Sequence, residues 1–297
     1  MINNPAAGIQ GIVDRYLRSE ASASMVLMEL LQLTEDPGML ADVLPTLVGD
    51  PARLCDLARN LAENEAGCRT IVRMIRQGLD SPALAPNTEN GIERCRKLFD
   101  ASVAQSEESS VALYSLGSPE LLAAATYEVI GVLEDWGVLG MRRDALEIGC
   151  GIGRLMTPLC SRVRSVIGTD VSPGMISAAT RRLQGFSNVS VQLTAGQDLS
   201  AICSASLDLV YSVDTFPYMV LCGHALVERH FQEVWRVLRP GGDFVLFNYA
   251  YGRSRDDANE EVLALARSAK LQVVRADESP FHIWNGIGWQ MRRGSSL

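Results

Sequence analysis

The feature that most constrains the fold of this chain is a glycine-rich turn that directly follows an apolar run. A carboxylate ends the next apolar run. Residues 146–154 read Leu-Glu-Ile-Gly-Cys-Gly-Ile-Gly-Arg. Glycines permit positive φ and close approach of a ligand, and a helix that follows presents unpaired N–H groups. The next β-rich run ends at Asp170, 21 residues after Gly149, where a doubly wound sheet places the carboxylate that binds a ribose diol. These coupled features predict a parallel α/β sheet with a nucleotide-like ligand at its edge.

Seven short runs of β-type composition begin at residue 145, and helical segments separate most of them. They cover residues 145–149, 165–170, 189–194, 207–213, 244–249, 271–274 and 286–291. Strands that alternate with helices are typical of a doubly wound α/β sheet. The second part of the chain is therefore predicted to hold a seven-stranded α/β domain.

The first part of the chain has helical patterns throughout. Asp50 and Pro51 supply an N-cap and an N1 proline ahead of leucines at 54, 57 and 61, which is a helical spacing. A stretch at 80–90 with two prolines and several turn-forming residues marks a boundary. We predict three regions. They are an all-helical extension at 1–80 that acts as a lid or dimerisation module, a linker and connecting helix at 81–110, and the cofactor-binding domain at 111–297.

Charge and composition exclude several classes of function. Lys and Arg number 27 against 35 Asp and Glu, a net charge of −8, which argues against a nucleic-acid partner. The sequence has neither a signal-peptide pattern nor an apolar stretch long enough for a membrane span, so we expect a cytoplasmic protein with no membrane partner. The 7 cysteines form no CxxC pair and no Cys/His cluster, so neither a disulfide framework nor a metal site is expected.

The spacing of the glycines separates two kinds of nucleotide site. A nicotinamide dinucleotide site prefers G-x-G-x-x-G, but Arg154 stands where its third glycine would be. The G-x-G-x-G turn, with Glu147 two residues ahead, and the segments 169–173, 207–212 and 236–242 together resemble the class I S-adenosylmethionine-dependent methyltransferases. The resemblance covers about residues 110–297. It implies a Rossmann-like seven-stranded sheet, S-adenosyl-L-methionine as cofactor and S-adenosyl-L-homocysteine as product.

The resemblance also implies which residues bind the cofactor. The glycines would line its methionine and ribose parts, with Glu147 near the amino group and Asp170 on the ribose diol. Asp198 is the expected contact of the adenine amino group, with Gln197 as the alternative because it stands where many relatives have Asp. The full implied set is Tyr114, Glu147, Gly149, Gly151, Gly153, Asp170, Val171, Met175, Gln197, Asp198, Leu199, Ser212 and Val213.

On the acceptor side, the sulfonium methyl is already activated, so positioning carries most of the catalysis and a base is needed only for a protonated nucleophile. Loops at the carboxyl ends of strands border the ligand crevice, and they supply the candidates. The catalytic candidates are His224, Tyr218 and His282. The substrate candidates are Asp214, Tyr218, Tyr249, Tyr251, Arg253, Phe281 and Trp284.

The leading hypothesis is methyl transfer to an oxygen or nitrogen atom of a small metabolite that bears a carboxylate or a phenol. The loops at 214–220, 248–253 and 280–284 resemble a bacterial branch of the family with no settled substrate. Two alternatives stay open: an enzyme of this fold with non-methylating chemistry, and a non-catalytic cofactor-binding scaffold. A homodimer formed through the N-terminal helices is a further expectation.

Overall fold

The structure is a computed structural model that describes residues 5–78 and 87–295, with side chains from Gly8 onward. The proline-containing start of the predicted linker, 80–86, lies outside the described residues. The helices are α1 Pro5–Leu17, α2 Ala23–Thr34, α3 Pro37–Val43, α4 Pro51–Glu63, α5 Glu65–Arg76, α6 Thr88–Val103, α7 Glu107–Val111, α8 Pro119–Asp135, α9 Met156–Leu159, α10 Pro173–Arg182, α11 Phe216–Cys222, α12 His224–Val237 and α13 Arg255–Ser268. Among the described residues, no helix is long and apolar enough to cross a membrane.

One seven-stranded sheet organises the second part of the chain, as the sequence predicts. The strands are β1 Gly140–Ile148, β2 Val163–Asp170, β3 Val189–Leu193, β4 Leu207–Val213, β5 Leu238–Phe247, β6 Leu271–Glu278 and β7 Gly288–Arg293. Their spatial order is β3-β2-β1-β4-β5-β7-β6. The first five strands pair in parallel, and β7 runs antiparallel to both β5 and β6. The predicted α/β fold class is confirmed.

Strand β5 begins six residues earlier than the 244 expected from composition. Leu238 pairs with Leu207, and the register then shifts before Asp243 pairs with Leu209. The extra residues between them include Gly241 at φ +82°, a conformation that glycine adopts at no steric cost. The turn-like residues between Leu238 and Asp243 therefore form an irregularity within β5 and do not precede the strand.

The structure comprises two compact units. Among the described residues, one contains 5–78, 101–128 and 281–285, and the other contains 87–100, 129–280 and 286–295. In the helical unit, α2 is buried on several sides, with Val26, Leu27 and Leu30 at 0% exposure. In the sheet unit, helices α12 and α13 pack apolar side chains against β4 and β5, which explains the nearly continuous apolar runs of these central strands.

Candidate active site

The glycine-rich turn follows β1 and is fixed to the end of β2. The carbonyl of Thr169 accepts hydrogen bonds from the N–H groups of Gly149 at 2.8 Å and Cys150 at 2.9 Å. Gly149 has φ +74°, and a Cβ there would lie 2.1 Å from Thr215 Oγ1. No larger residue fits without displacing the loop after β4, so the turn joins the carboxyl ends of three neighbouring strands.

Asp170 lies at the carboxyl end of β2, opposite the turn. Its Oδ2 accepts a hydrogen bond from the Gly151 N–H and its Oδ1 accepts one from the Ser172 N–H, both at 2.9 Å. Burial raises the pKa of this carboxyl group, and backbone hydrogen bonds from Ser172, Gly151 and Val171 oppose the rise. An ionised carboxylate has about four acceptor positions, so these three donors leave capacity for a ribose hydroxyl group.

A second carboxylate, which sequence reasoning missed, supports the same corner. Asp100 on α6 accepts hydrogen bonds from Ser172 Oγ at 2.6 Å and from the Gly174 N–H at 2.9 Å. It therefore satisfies donors in the first turn of α10, which helix geometry leaves unpaired. A residue 72 positions away from Ser172 has no local signal that would reveal this role.

A cavity of about 260 Å³ lies beside Asp170 at the ends of β2 and β3. The loops after β2 and β3 contribute Val171, Thr194, Ala195 and Gln197, and α6 contributes Glu89, Ile92, Glu93 and Arg96. Two residues of the implied cofactor-binding set, Val171 and Gln197, thus line the same cavity.

The neighbours of Gln197 point elsewhere. The Asp198 carboxylate accepts the Ser200 N–H at 3.0 Å, and hydrogen bonds from Ser200 lower its pKa. Leu199 is 4% exposed and packs in the sheet core. Met175 is also buried, at 1% exposure. The cavity is thus lined by the alternative residue, Gln197, and its described lining does not include the preferred Asp198.

Glu147 is an ionisable group inside the sheet unit. It is 2% exposed, and its Oε2 accepts a hydrogen bond from the hydroxyl of Tyr211 at 2.8 Å. Burial raises its pKa to about 8, against the lowering effects of Tyr211 and Arg154. A cationic group placed nearby would favour the carboxylate form, which is compatible with the amino-group role implied for this residue.

The predicted acceptor residues Asp214, Tyr218 and Tyr251 come together after β4 and β5. Asp214 Oδ1 accepts a hydrogen bond from Asn248 Nδ2 at 2.7 Å. Burial raises the pKa of Asp214, while hydrogen bonds from Tyr251 and Asn248 lower it. Tyr251 also shares a hydrogen bond with Tyr218. Tyr251 is 40% exposed as a whole residue, but its hydroxyl points inward to this group.

Aromatic rings enclose the same group, which we call the acceptor cluster: Phe99, Asp214, Tyr218, Asn248 and Tyr251. The ring of Tyr218 packs edge-on against Phe99, with centroids 4.8 Å apart, and against Tyr251 at 5.7 Å. Sequence reasoning missed Phe99 and Asn248. The backbone of Asn248 has φ +65° and that of Asp214 has φ +59°, a region that non-glycine residues seldom occupy.

Other predicted residues of the sheet unit lie outside the acceptor cluster. The hydroxyl of Ser212 donates to the Ile148 carbonyl at 3.1 Å inside the sheet, and Val213 ends β4 beside it. Tyr249 packs in the hydrophobic core at 1% exposure, so burial gives no support to a substrate contact. Gly153, at φ +71°, packs beside α10.

His224 is exposed at the start of α12, and its ring nitrogens lie 3.1 Å from a Glu261 oxygen and 3.4 Å from a Glu228 oxygen. Arg253 pairs with the same Glu261. These contacts describe a surface network of charges. The structure does not bring His224 or Arg253 into the hydrogen bonds of the acceptor cluster.

Four predicted site residues belong to the helical unit. Tyr114 and Trp284 are stacked with centroids 6.1 Å apart, and Phe281 lies 4.9 Å from Trp284. The N–H of His282 donates to Glu128 Oε1 at 2.6 Å, and its side chain is exposed. The three rings therefore form an aromatic cluster within this unit.

Comparisons with known proteins agree with this architecture. A family model described as a methyltransferase domain matches residues 146–246. The probable S-adenosylmethionine-dependent methyltransferase CRG1 of Saccharomyces cerevisiae is 33% identical over 115 residues, which cover 37% of this chain and 37% of the yeast protein. The human thiol S-methyltransferase TMT1A is 30% identical over 138 residues, 44% of this chain and 52% of the human protein. The chain therefore spans about half or less of the length of these curated relatives.

A solved structure shows the same fold. It is phosphoethanolamine N-methyltransferase 1 of Haemonchus contortus, in complex with phosphoethanolamine and S-adenosylhomocysteine. The TM-score is 0.57 at 18% identity, and the match covers 71% of this chain and 50% of that one. Residues 146–246 match a methyltransferase domain, and the sheet has the fold of a methyltransferase of known structure.

Proposed function

We propose that this protein transfers a methyl group from S-adenosylmethionine to an oxygen or nitrogen atom of a small metabolite. The acceptor cluster is the observation that carries the proposal. It combines a buried carboxylate, two tyrosine hydroxyls and aromatic walls after β4 and β5, at the sheet edge where parallel strands place ligands. The human relative is named for a thiol and the nematode structure holds phosphoethanolamine, so small acceptors are in keeping with the family.

The residues around Asp170 fit the cofactor. When bound, S-adenosylmethionine supplies a methyl group that is already activated for displacement. Asp170 would accept hydrogen bonding from the ribose hydroxyls, since its three backbone donors do not use all of its acceptor capacity. Val171 and Gln197 would bind the adenine in the cavity that they line.

Asp214 would receive the proton of the acceptor. Hydrogen bonds between Tyr218 and Tyr251 and between Tyr251 and Asp214 connect the aromatic walls with the carboxylate. A phenol or ammonium group that contacts these hydroxyls can pass its proton along them to a carboxylate oxygen of Asp214. A substrate carboxylate would be repelled by the same charge, so we favour a phenol or an amine over a carboxylic acid.

Cofactor binding is the first test. Asp170→Asn removes the charge that strengthens hydrogen bonding to the ribose, and we expect affinity for S-adenosylhomocysteine to fall by about 10- to 100-fold. Isothermal titration calorimetry on the purified protein measures this directly. The control is Asp256→Asn, which changes an exposed carboxylate in the first turn of α13. Equal affinities in the two variants would reject the assigned ribose contact.

The second test identifies the acceptor class. The protein is incubated with methyl-labelled S-adenosylmethionine and cell extract separated into metabolites, RNA and protein. Label should enter the metabolite fraction, and Asp214→Asn should slow its transfer at least tenfold without weakening S-adenosylhomocysteine binding. Label in RNA or protein would contradict the proposal. Tight cofactor binding with no transfer to any fraction would favour the scaffold or the non-methylating alternative.

A further inference from the structure

Two buried thiols face each other beside the acceptor cluster. Cys95 Sγ and Cys222 Sγ are 3.9 Å apart, and the two residues are 9% and 6% exposed. They pack with Leu226 and with the partly buried Ile92 and Phe99. The sequence predicted no disulfide framework, because the 7 cysteines form no CxxC pair and no Cys/His cluster. Cys95 and Cys222 lie 127 positions apart.

The two thiols belong to helices that form different walls of the site. Cys95 lies on α6, between the cavity residues Ile92 and Arg96. Cys222 is the last residue of α11, which also carries Tyr218. The helices approach so closely that a Cβ on Gly91 would lie 2.8 Å from Cys222 Sγ. A bond between the sulfurs would join the cofactor wall to the acceptor wall.

We propose that Cys95 and Cys222 form a reversible disulfide, with a peroxide as oxidant, that fastens α6 to α11 and slows cofactor exchange. The disulfide itself follows from the position of the thiols. Its effect on exchange rests on the proposed function, because that function assigns the cofactor to the cavity beside α6.

The chemistry balances with hydrogen peroxide. The Cys222 thiolate attacks one peroxide oxygen and the O–O bond breaks, giving a sulfenic acid and, after protonation, water. The Cys95 sulfur then attacks the sulfenic sulfur and displaces its oxygen as a second water. Two thiols and one peroxide thus give one disulfide and two waters. The hydrogen bond from Cys95, together with the positive charge of Arg94, lowers the pKa of Cys222, which makes it the first nucleophile.

The required movement is small. A disulfide bond is about 2.05 Å long, so the sulfurs must approach each other by about 2 Å from their separation of 3.9 Å. Reduction by a dithiol reverses the step by thiol–disulfide exchange.

The expected effect on exchange follows from the position of the cavity. Helix α6 forms one wall of this cavity of about 260 Å³, where the proposed function places the adenine. Outward movement of α6 would widen the cavity for entry or release of the cofactor. A covalent bond to α11 opposes that motion.

Peptide mapping tests the disulfide. The full chain is treated with hydrogen peroxide at a few equivalents, blocked with iodoacetamide and digested without reductant. We expect a cross-linked peptide pair that contains Cys95 and Cys222, lighter by two hydrogens and cleaved by dithiothreitol. The exposed Cys55 and Cys203 serve as internal references for oxidation. If they oxidise while Cys95 and Cys222 both stay alkylated, the proposal is wrong.

Exchange is measured by the release of S-adenosylhomocysteine in stopped-flow displacement. Release should be at least tenfold slower after oxidation and should recover on reduction. Cys95→Ser and Cys222→Ser should each abolish the slowing, whereas the surface variant Cys203→Ser should keep it. A complete cross-link with unchanged release would overturn the regulatory part. Absence of S-adenosylhomocysteine binding in the reduced protein would count against the proposed function, and the peptide map would still decide on the disulfide.

Discussion

At the scale of residues, the acceptor cluster contains two residues with strained backbone conformations. Asp214 and Asn248 both have positive φ, at a cost of about 1–3 kcal/mol each. Their side chains are bonded to each other, and the N–H of Asp214 donates to the Phe247 carbonyl. Strain of this kind persists where the surroundings impose it, and it concentrates at functional sites. Asn248 is thus a positioning residue for the carboxylate that we assign as the proton acceptor.

Removing one hydroxyl from the acceptor cluster should change the titration of Asp214. The hydrogen bond from Tyr251 lowers the pKa of Asp214, so Tyr251→Phe should raise it further. Carbon-13 NMR of the labelled carboxyl group measures this pKa without a substrate. Tyr127→Phe, an exposed residue at 62% exposure, is the control and should have no effect. If the pKa of Asp214 is the same in Tyr251→Phe as in the wild type, the assigned hydrogen bond is refuted.

Glu147 should make stability fall with rising pH. Its folded pKa is about 8 and its unfolded value is near 4.3. The folded state therefore holds more protons between these pH values, and the free energy of unfolding decreases as pH rises through them. The full loss is up to about 5 kcal/mol.

Glu147→Gln keeps an acceptor for Tyr211 but does not titrate, so it should remove this part of the pH dependence. Urea denaturation of the wild type and the variant at several pH values from 5 to about 8 measures the difference. Glu63→Gln, at the exposed end of α4, should behave like the wild type. Parallel stability curves for the wild type and Glu147→Gln would show that Glu147 is not buried in its neutral form.

At the scale of elements, the turn after β1 depends on glycine for two separable reasons. Gly149 has positive φ and also has no space for a side chain, because Thr215 fills it. Gly185 has φ +99° with nothing within 4 Å of an added Cβ. The two positions therefore separate backbone strain from close packing.

Gly149→Ala should be much more damaging than Gly185→Ala. The first combines left-handed strain with a severe overlap and should lower the free energy of unfolding by more than about 3 kcal/mol. The second carries strain alone and should cost about 1–2 kcal/mol. Chemical denaturation of both variants provides the comparison. Similar losses of unfolding free energy in the two variants would mean that the loop at Thr215 moves easily to make room for the added methyl group. The close contact at Gly149 would then not constrain the turn.

At the scale of the whole molecule, the net charge of −8 bears on the class of substrate. Binding to a phosphate backbone depends on concentrated positive charge. We expect transfer RNA to bind more weakly than about 10⁻⁴ M at physiological salt, as measured by filter binding with a basic RNA-binding protein as positive control. Micromolar binding that weakens steeply with added salt would reopen a nucleic-acid substrate.

The domain boundaries, the dimer and the cytoplasmic location remain predictions. The helical unit holds Tyr114, Phe281, His282 and Trp284, although the sequence placed them in the domain at 111–297. Size-exclusion chromatography with light scattering, on the full chain and on a variant that lacks residues 5–78, would decide whether the N-terminal helices form a dimer.

The sequence alone determined the α/β sheet, the glycine turn and Asp170, because each has a local signature in the period of apolar residues, the spacing of glycines or the end of an apolar run. Only the tertiary structure decided that Gln197 lines the cavity, that Asp100 supports α10, that His224 pairs with Glu261 and that two cysteines meet. These contacts join residues that lie far apart in the chain or distinguish immediate neighbours in a loop. Packing brings such groups together, and no local periodicity or residue spacing in the sequence predicts these contacts.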